Sequence, residues 1–220
     1  MSVMRSPTAE RLLGRREPVA VEKSDVEPAP GIRWQPMAPI ERPTTARQCA
    51  GALIEGATQR WRHIEGAAAA AALAGGELAL EDRELLASAA WLHDIGYASA
   101  LVDTGFHPLD GARYLRSIGA PDRLCGLVAN HTHAWIEAGA RGLADQLAAE
   151  FPAEDSPVAD ALTYADMTTG PNGEPMTVEE RIGEILQRYA PGHVVHESVR
   201  RAAPDLIATV RRVEARLAAL

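Results

Sequence analysis

Signals that start and stop helices follow one another along this chain from Pro43 onward. Alanine has the highest helix propensity, and the run Ala67–Ala72 is followed by Gly75 and Gly76, which stop a helix. Pro108 suits a first helical turn, whereas the alternation of β-branched residues that marks strands is nearly absent. The sequence therefore predicts an all-α domain of about eight or nine helices, at about 44–56, 58–75, 80–96, 107–119, 121–131, 140–150, 156–168, 177–190 and 193–217.

The first 43 residues differ from the rest of the chain. They contain seven of the fifteen prolines and show no sustained hydrophobic periodicity. Such a stretch cannot bury a core of its own. We therefore expect a Pro-rich, extended or disordered arm at residues 1–43 and a single helical domain at residues 44–220.

Composition excludes several functions. The formal net charge of −8 argues against a nucleic acid polymer as partner, because phosphate binding requires a basic face. The only lysine is Lys23, so Schiff-base chemistry and the lysine of a phosphate-binding P-loop are excluded downstream of it. Two cysteines are too few for a disulfide framework, and no apolar run is long enough to span a membrane. We expect a cytoplasmic protein without a membrane partner.

Several common catalytic motifs are missing from the sequence. It contains no GxGxxG, no GxxxxGK(S/T) and no GxSxG. His196-Glu197 begins like the HExxH zinc motif, but Arg200 occupies its last position. A glycine-rich nucleotide loop, a serine nucleophile elbow and this zinc site are therefore excluded.

Two aspartates lie in apolar surroundings near predicted helix ends. His93-Asp94 interrupts the apolar segment 91–96, and Asp166 follows the apolar segment 161–165. An unpaired buried carboxylate is costly, and a carboxylate also meets the unfavourable end of the helix dipole at a C-terminus. Both positions therefore favour a compensating cation.

The order of these residues resembles a known family. His63, then His93-Asp94, then Asp166 on successive helices is similar to the H…HD…D signature of the HD-domain superfamily of metal-dependent phosphohydrolases. The segments 60–63 and 92–96 also resemble the first and second motif helices of the family, and the segment 107–112 resembles the intervening helix of many members. The resemblance covers roughly residues 45–190 and implies a single helical HD-domain bundle.

The resemblance implies a metal site and a mechanism. His63, His93, Asp94 and Asp166 would coordinate a divalent ion, which could be Mn, Fe, Ni, Co, Zn or Mg. The ion would bind a phosphate oxygen and lower the pKa of a bound water. Asp94 would be the catalytic residue that also orients or deprotonates this water.

A second metal remains open. Some HD-domain families hold two ions through two extra histidines, and His107 and His131 stand in the matching order. Cyclic-dinucleotide hydrolysis is disfavoured, since Gly96-Tyr97-Ala98 departs from the GYP motif of that subfamily and its downstream HHExxDGxGYP segment is missing.

The expected substrate is a small phosphorylated molecule, either a phosphate ester or a nucleotide. Arg62 and Arg113 are candidates to bind its phosphate, because guanidinium groups bind oxyanions with two parallel hydrogen bonds, and His133 is a third candidate. Two other functions stay open: an HD-domain diiron oxygenase, and a non-catalytic helical module that binds a ligand or protein and holds a structural metal. Exposed apolar faces of the alanine-rich helices could also support a homodimer.

Overall fold

The computed structural model describes residue 40, residues 42–54 and residues 58–219. The predicted N-terminal arm lies almost wholly outside these residues; its last residue, Pro43, begins the first helix. The described ranges form ten α-helices and no β-strand, which confirms the predicted all-α fold. The helices are α1 Pro43–Leu53, α2 Gln59–Ala74, α3 Leu80–Leu92, α4 His107–Ser117, α5 Asp122–Asn130, α6 Ala134–Arg141, α7 Ala144–Glu150, α8 Pro157–Met167, α9 Val178–Arg188 and α10 Val194–Leu217.

Three short 3₁₀ turns connect some of these helices, at Ile95–Tyr97, Ser99–Leu101 and His131–His133. Two of them lie where the sequence predicted helix ends at residues 96 and 131. The helix predicted at about 140–150 corresponds to α7, and the sequence prediction missed α6 at Ala134–Arg141. Gly142, with a φ of 73°, ends α6 in the left-handed conformation that favours glycine.

Small side chains let the three central helices approach closely. α2 packs against α3 and α8, and α3 also contacts α8. The buried residues at these contacts are mainly alanines, which place helix axes closer together than larger side chains allow. They include Ala67, Ala71, Ala89, Ala90, Ala161 and Ala165. Polar side chains carried by these helices can therefore meet across a short gap.

The C-terminal helices form a second apolar cluster beside this core. α10 packs against α6, α8 and α9. It contributes Ala202, Leu206 and Val210 to this cluster, together with Ile182 of α9 and Met167 of α8. None of the helices in the described ranges combines the length and hydropathy that crossing a bilayer requires.

The turn after α3 lies directly against the start of α4. A Cβ atom added at Gly96 would lie 2.0 Å from the carbonyl oxygen of His107 and 2.8 Å from the backbone nitrogen of Gly111. Because both neighbours are backbone atoms, they cannot rotate away. Gly96 thus sets the distance between Asp94 and His107.

We predict that Gly96→Ala lowers the free energy of unfolding by about 1–3 kcal/mol, as overpacking of a tight core does. Gly139→Ala is the matched control, since nothing lies within 4 Å of a Cβ at that exposed position in α6. The control should be stabilised by about 0.4–1 kcal/mol, because alanine reduces the entropy of the unfolded chain. Urea unfolding measures both changes, and equal midpoints for Gly96→Ala and wild type would contradict the prediction.

Candidate metal centre

Six ionisable side chains from five parts of the chain converge on one point. His63 comes from α2, His93 and Asp94 follow α3, and Asp166 lies near the end of α8. His107 begins α4 and His131 directly follows α5. All except the half-buried His107 are less than 10% exposed. The structure thus brings together the four predicted ligands and the two further histidines.

Three of these residues form a first triad: His63, His93 and Asp166. Nε2 of His63 lies 3.1 Å from Oδ1 of Asp166 and 3.4 Å from Nε2 of His93. One ligand atom of each residue lies within 4.8 Å of the other two. A single metal ion could therefore contact all three.

Asp94, His107 and His131 form a second triad with the same spacing of ligand atoms. Nε2 of His107 lies 3.3 Å from Oδ1 of Asp94 and 3.3 Å from Nε2 of His131. The other carboxylate oxygen of Asp94, Oδ2, lies 3.5 Å from Nε2 of His93. Asp94 therefore belongs to the second triad through Oδ1 and also presents Oδ2 to the first triad.

Backbone carbonyls fix the protonation of three of the histidine rings. A carbonyl oxygen can only accept a hydrogen bond, so the Nδ1 atom facing it must be the one that carries hydrogen. The pairs are His63 with Gly170 at 3.1 Å, His93 with Ala90 at 2.8 Å and His131 with Val128 at 2.7 Å. In the neutral rings, the Nε2 lone pairs therefore face the other ligand atoms.

This donor set fits a divalent metal. Nε2 lone pairs that face one another or a carboxylate oxygen at 3.1–3.4 Å repel unless a cation lies between them. One extra ring proton would relieve one such contact, whereas a metal ion relieves several at once. A histidine that donates its other ring N–H to a carbonyl is also the usual arrangement of a metal ligand.

The electrostatics favour the protonation states that metal binding requires. Burial alone would raise the pKa of Asp94, but the guanidinium of Arg60, which forms an ion pair with it, holds that pKa well below its usual range. Burial lowers the pKa values of His93 and His107. Ionised carboxylates therefore lie beside neutral imidazoles, and metal binding requires both.

A guanidinium group also lies near the buried carboxylate of Asp166. Burial by itself would raise its pKa, whereas the guanidinium of Arg181, 3.9 Å from Oδ1, lowers it. Oδ1 faces His63 and Oδ2 accepts a hydrogen bond from the hydroxyl of Thr132. Both carboxylate oxygens of this residue are thus fixed in direction.

The turn that carries Thr132 has an unusual backbone. Thr132 and His133 have φ values of 53° and 55°, in the left-handed region that a β-branched residue rarely adopts. This conformation turns the chain between α5 and α6 so that His131 and Thr132 both face the triads. Because neither residue is glycine, the sequence carried no signal for this turn.

The loop after α8 is held against α2 by a close backbone contact. A Cβ atom added at Gly66 would lie 2.6 Å from the carbonyl oxygen of Gly173. The same loop supplies the Gly170 carbonyl that accepts from His63. The glycine at position 66 therefore helps to set the orientation of the His63 ring.

A cavity of about 750 Å³, counting the space at its open mouth, lies against the triads. Asp94, His107, His131 and Asp166 line its inner end, and the rest of the wall is mostly apolar. The other residues with polar side-chain groups that line it are Arg60, Tyr97, Thr132, His133, Glu137, Arg181, Arg188, Tyr189 and Ser198. The triads therefore face an open, mostly apolar cavity.

Of the three predicted substrate-binding residues, the structure places only His133 at this cavity. The side chain of Arg62 hydrogen-bonds Oδ1 of Asn172 at 3.3 Å, and Arg113 is paired with Glu150 and Asp103. Arg62 directly follows Trp61 and precedes His63, so it projects about 100° away from the histidine on α2. Neither Arg62 nor Arg113 lines this cavity, and phosphate binding by these two residues stays a prediction.

Other arginines line the cavity instead. Arg60 precedes His63 by three residues, which puts both on one face of α2. The three-residue spacing between Arg60 and His63 could have identified Arg60 as a residue of the site from the sequence alone. Arg181 and Arg188 come from α9, far along the chain, and nothing in the sequence linked them to the histidines.

Comparisons with known proteins agree with this arrangement. The family model of the HD domain matches residues 60–190, which is more than half of the chain and includes all six converging side chains. No curated protein and no solved structure matches the chain. The chain belongs to the HD-domain family, the superfamily of metal-dependent phosphohydrolases that the order of its histidines and aspartates indicated.

Proposed function

We propose that this protein is a metal-dependent phosphohydrolase that acts on a small phosphate ester or nucleotide through a metal-activated water. The observation that carries the proposal is the pair of neighbouring triads, four of whose residues line one open cavity. The membership in the HD-domain family supports the same reaction class.

We further propose two metal ions for each chain, one at each triad. A bound divalent ion would polarise a phosphoryl oxygen and lower the pKa of a water. Mixed imidazole and carboxylate donors suit Mn, Fe, Ni, Co or Zn better than Mg, which prefers oxygen ligands. The two carboxylate oxygens of Asp94 face different ions in this proposal, since Oδ2 lies near His93 and Oδ1 lies near His107.

The protein residues have separate roles in this proposal. Asp94 serves as a ligand and orients the attacking water, since a carboxylate whose pKa is held so low is a weak base. Arg60 lines the cavity beside Asp94 and can neutralise charge on the phosphate. His133, whose pKa is lowered by burial, lies at the rim as a neutral hydrogen-bonding group.

The six-donor set also supports the diiron oxygenase alternative. The arginines along the cavity favour phosphate as the ligand and hence hydrolysis. Iron content, a visible absorption band and oxygen consumption would identify the oxygenase. Fully metal-loaded protein that turns over no phosphate compound and consumes no oxygen would indicate the non-catalytic module.

The proposal predicts hydrolysis by wild-type protein in a panel of phosphate esters and nucleotides tested with each candidate metal. His93→Ala and the isosteric Asp94→Asn should lower kcat/KM by more than about 100-fold, which is the upper range for losing an outer partner of a metal ligand. His196→Ala is the control, because His196 lies on α10 beside Glu197 and does not line the cavity.

Circular dichroism should show that all three variants keep the helical fold. Undiminished turnover by His93→Ala and Asp94→Asn would contradict the proposal. So would metal-loaded wild type that hydrolyses nothing in the panel.

We predict that the hydroxyl of Thr132 supports the first triad through Asp166. Thr132→Ala should weaken metal affinity or kcat/KM by about 10–100-fold, whereas Thr132→Ser, which keeps the hydroxyl, should stay near wild type. Both variants remove the β-branch from a left-handed residue, so they differ only in the hydrogen bond. Competition with a chelator measures the affinity. Equal affinities for Thr132→Ala and Thr132→Ser would show that the hydroxyl is not needed.

A further inference from the structure

Two buried polar atoms in the cavity have no hydrogen-bond partner. They are Nε of Arg181 on α9 and Oγ of Ser198 on α10, and within the described ranges nothing pairs with either. Arg181 is 5% exposed and Ser198 is 4% exposed. Both residues line the same cavity as the triads.

Leaving such donors unpaired destabilises a protein, and buried polar groups are almost always satisfied. An Nε–H group can only donate, and a serine hydroxyl can donate as well. The missing partner is therefore a group with acceptor oxygens. An oxyanion meets this requirement for both atoms.

The arginine is already fixed in position. Nη1 of Arg181 hydrogen-bonds Oε2 of Glu184 at 2.7 Å, while Nε of Arg188 hydrogen-bonds Oε1 of the same glutamate at 2.9 Å. Glu184 thus holds two guanidinium groups side by side. A fixed guanidinium loses little freedom when it binds an oxyanion.

The balance of positive and negative side chains around the cavity is compatible with binding an anion. Arg60, Arg181 and Arg188 are matched by three carboxylates, those of Asp94, Asp166 and Glu184. A fourth carboxylate at the cavity, that of Glu137, is paired with Arg141. The protein groups alone therefore nearly balance. Divalent cations at the triads would make the site positive, so a substrate with more than one negative group fits it.

We propose that Arg181, Arg188 and Ser198 form an oxyanion subsite that binds the second phosphate of a diphosphate-containing substrate. The proposal rests on the proposed function, because the reacting phosphate is assigned to the triads. Nη2 of Arg181 lies 3.9 Å from Oδ1 of Asp166, so the subsite adjoins the first triad. This short distance favours neighbouring phosphates over a second anion at the far end of a long molecule.

The test is calorimetric titration of metal-loaded protein, freed of excess metal, with inorganic diphosphate and separately with inorganic phosphate. Wild type should bind diphosphate more tightly than phosphate. Ser198→Ala should raise the Kd for diphosphate about 3–10-fold, and Arg181→Lys, which keeps the charge but loses the Nε–H, by at least about 10-fold. The Kd for phosphate should change little in both variants.

Arg211→Lys is the matched control, because Arg211 joins the same two helices on their exposed side through Glu179. It should bind diphosphate as wild type does. Metal content is measured after each titration so that loss of metal to diphosphate is detected. Thermal melting shows that the variants are folded.

The outcomes separate the two proposals. Hydrolysis of phosphate esters together with unchanged diphosphate binding in Ser198→Ala and Arg181→Lys would overturn the subsite alone. A higher melting temperature for Ser198→Ala with unchanged binding would identify its hydroxyl as merely an unsatisfied group. Metal-loaded wild type that binds neither phosphate nor diphosphate would overturn the proposed function and the subsite together.

Discussion

Three buried histidines each donate a ring N–H to a backbone carbonyl, and the rest of the site depends on this constraint. Ala90 and Val128 lie three residues before His93 and His131, so these carbonyls belong to the last turns of α3 and α5. Carbonyls in a last helical turn lack partners within their own helix. By satisfying them, the histidines fix their own orientation and direct Nε2 toward the carboxylates. The free carbonyls at a helix end thus determine the direction in which the metal-ligand atom Nε2 points.

The packing around the site serves the same geometry. Alanines at the contacts of α2, α3 and α8 bring the ligand-bearing helices close together, and Gly96 allows the backbone of α4 to touch the turn that carries Asp94. The left-handed residues after α5 cost conformational energy, which the surrounding contacts must offset. Large side chains at these contacts would separate the two triads. The low aromatic content of the chain, 5%, is consistent with this close packing.

Much of the centre could be predicted from sequence, because its ligands follow apolar helices in a recognisable order. The order was visible in His63, His93, Asp94 and Asp166. The predicted helix boundaries put His107 at a helix start and His131 at a helix end, so both could face the same site. The arginines that line the cavity were harder to predict than the metal ligands. Arg60 could have been found from its spacing to His63, but Arg181 and Ser198 reach the cavity only through the packing of α9 and α10. Thr132 lies in a backbone conformation that its residue type does not indicate.

Anomalous X-ray diffraction from crystals of protein purified without chelator tests the central claim most directly. The account predicts an anomalous peak in coordination contact with Nε2 of His63 and of His93, and a second near Nε2 of His107 and His131. Asp94 should lie between the two peaks. Ordered crystals with no anomalous density at either triad, or with metal bound through Nδ1 of these rings, would contradict it.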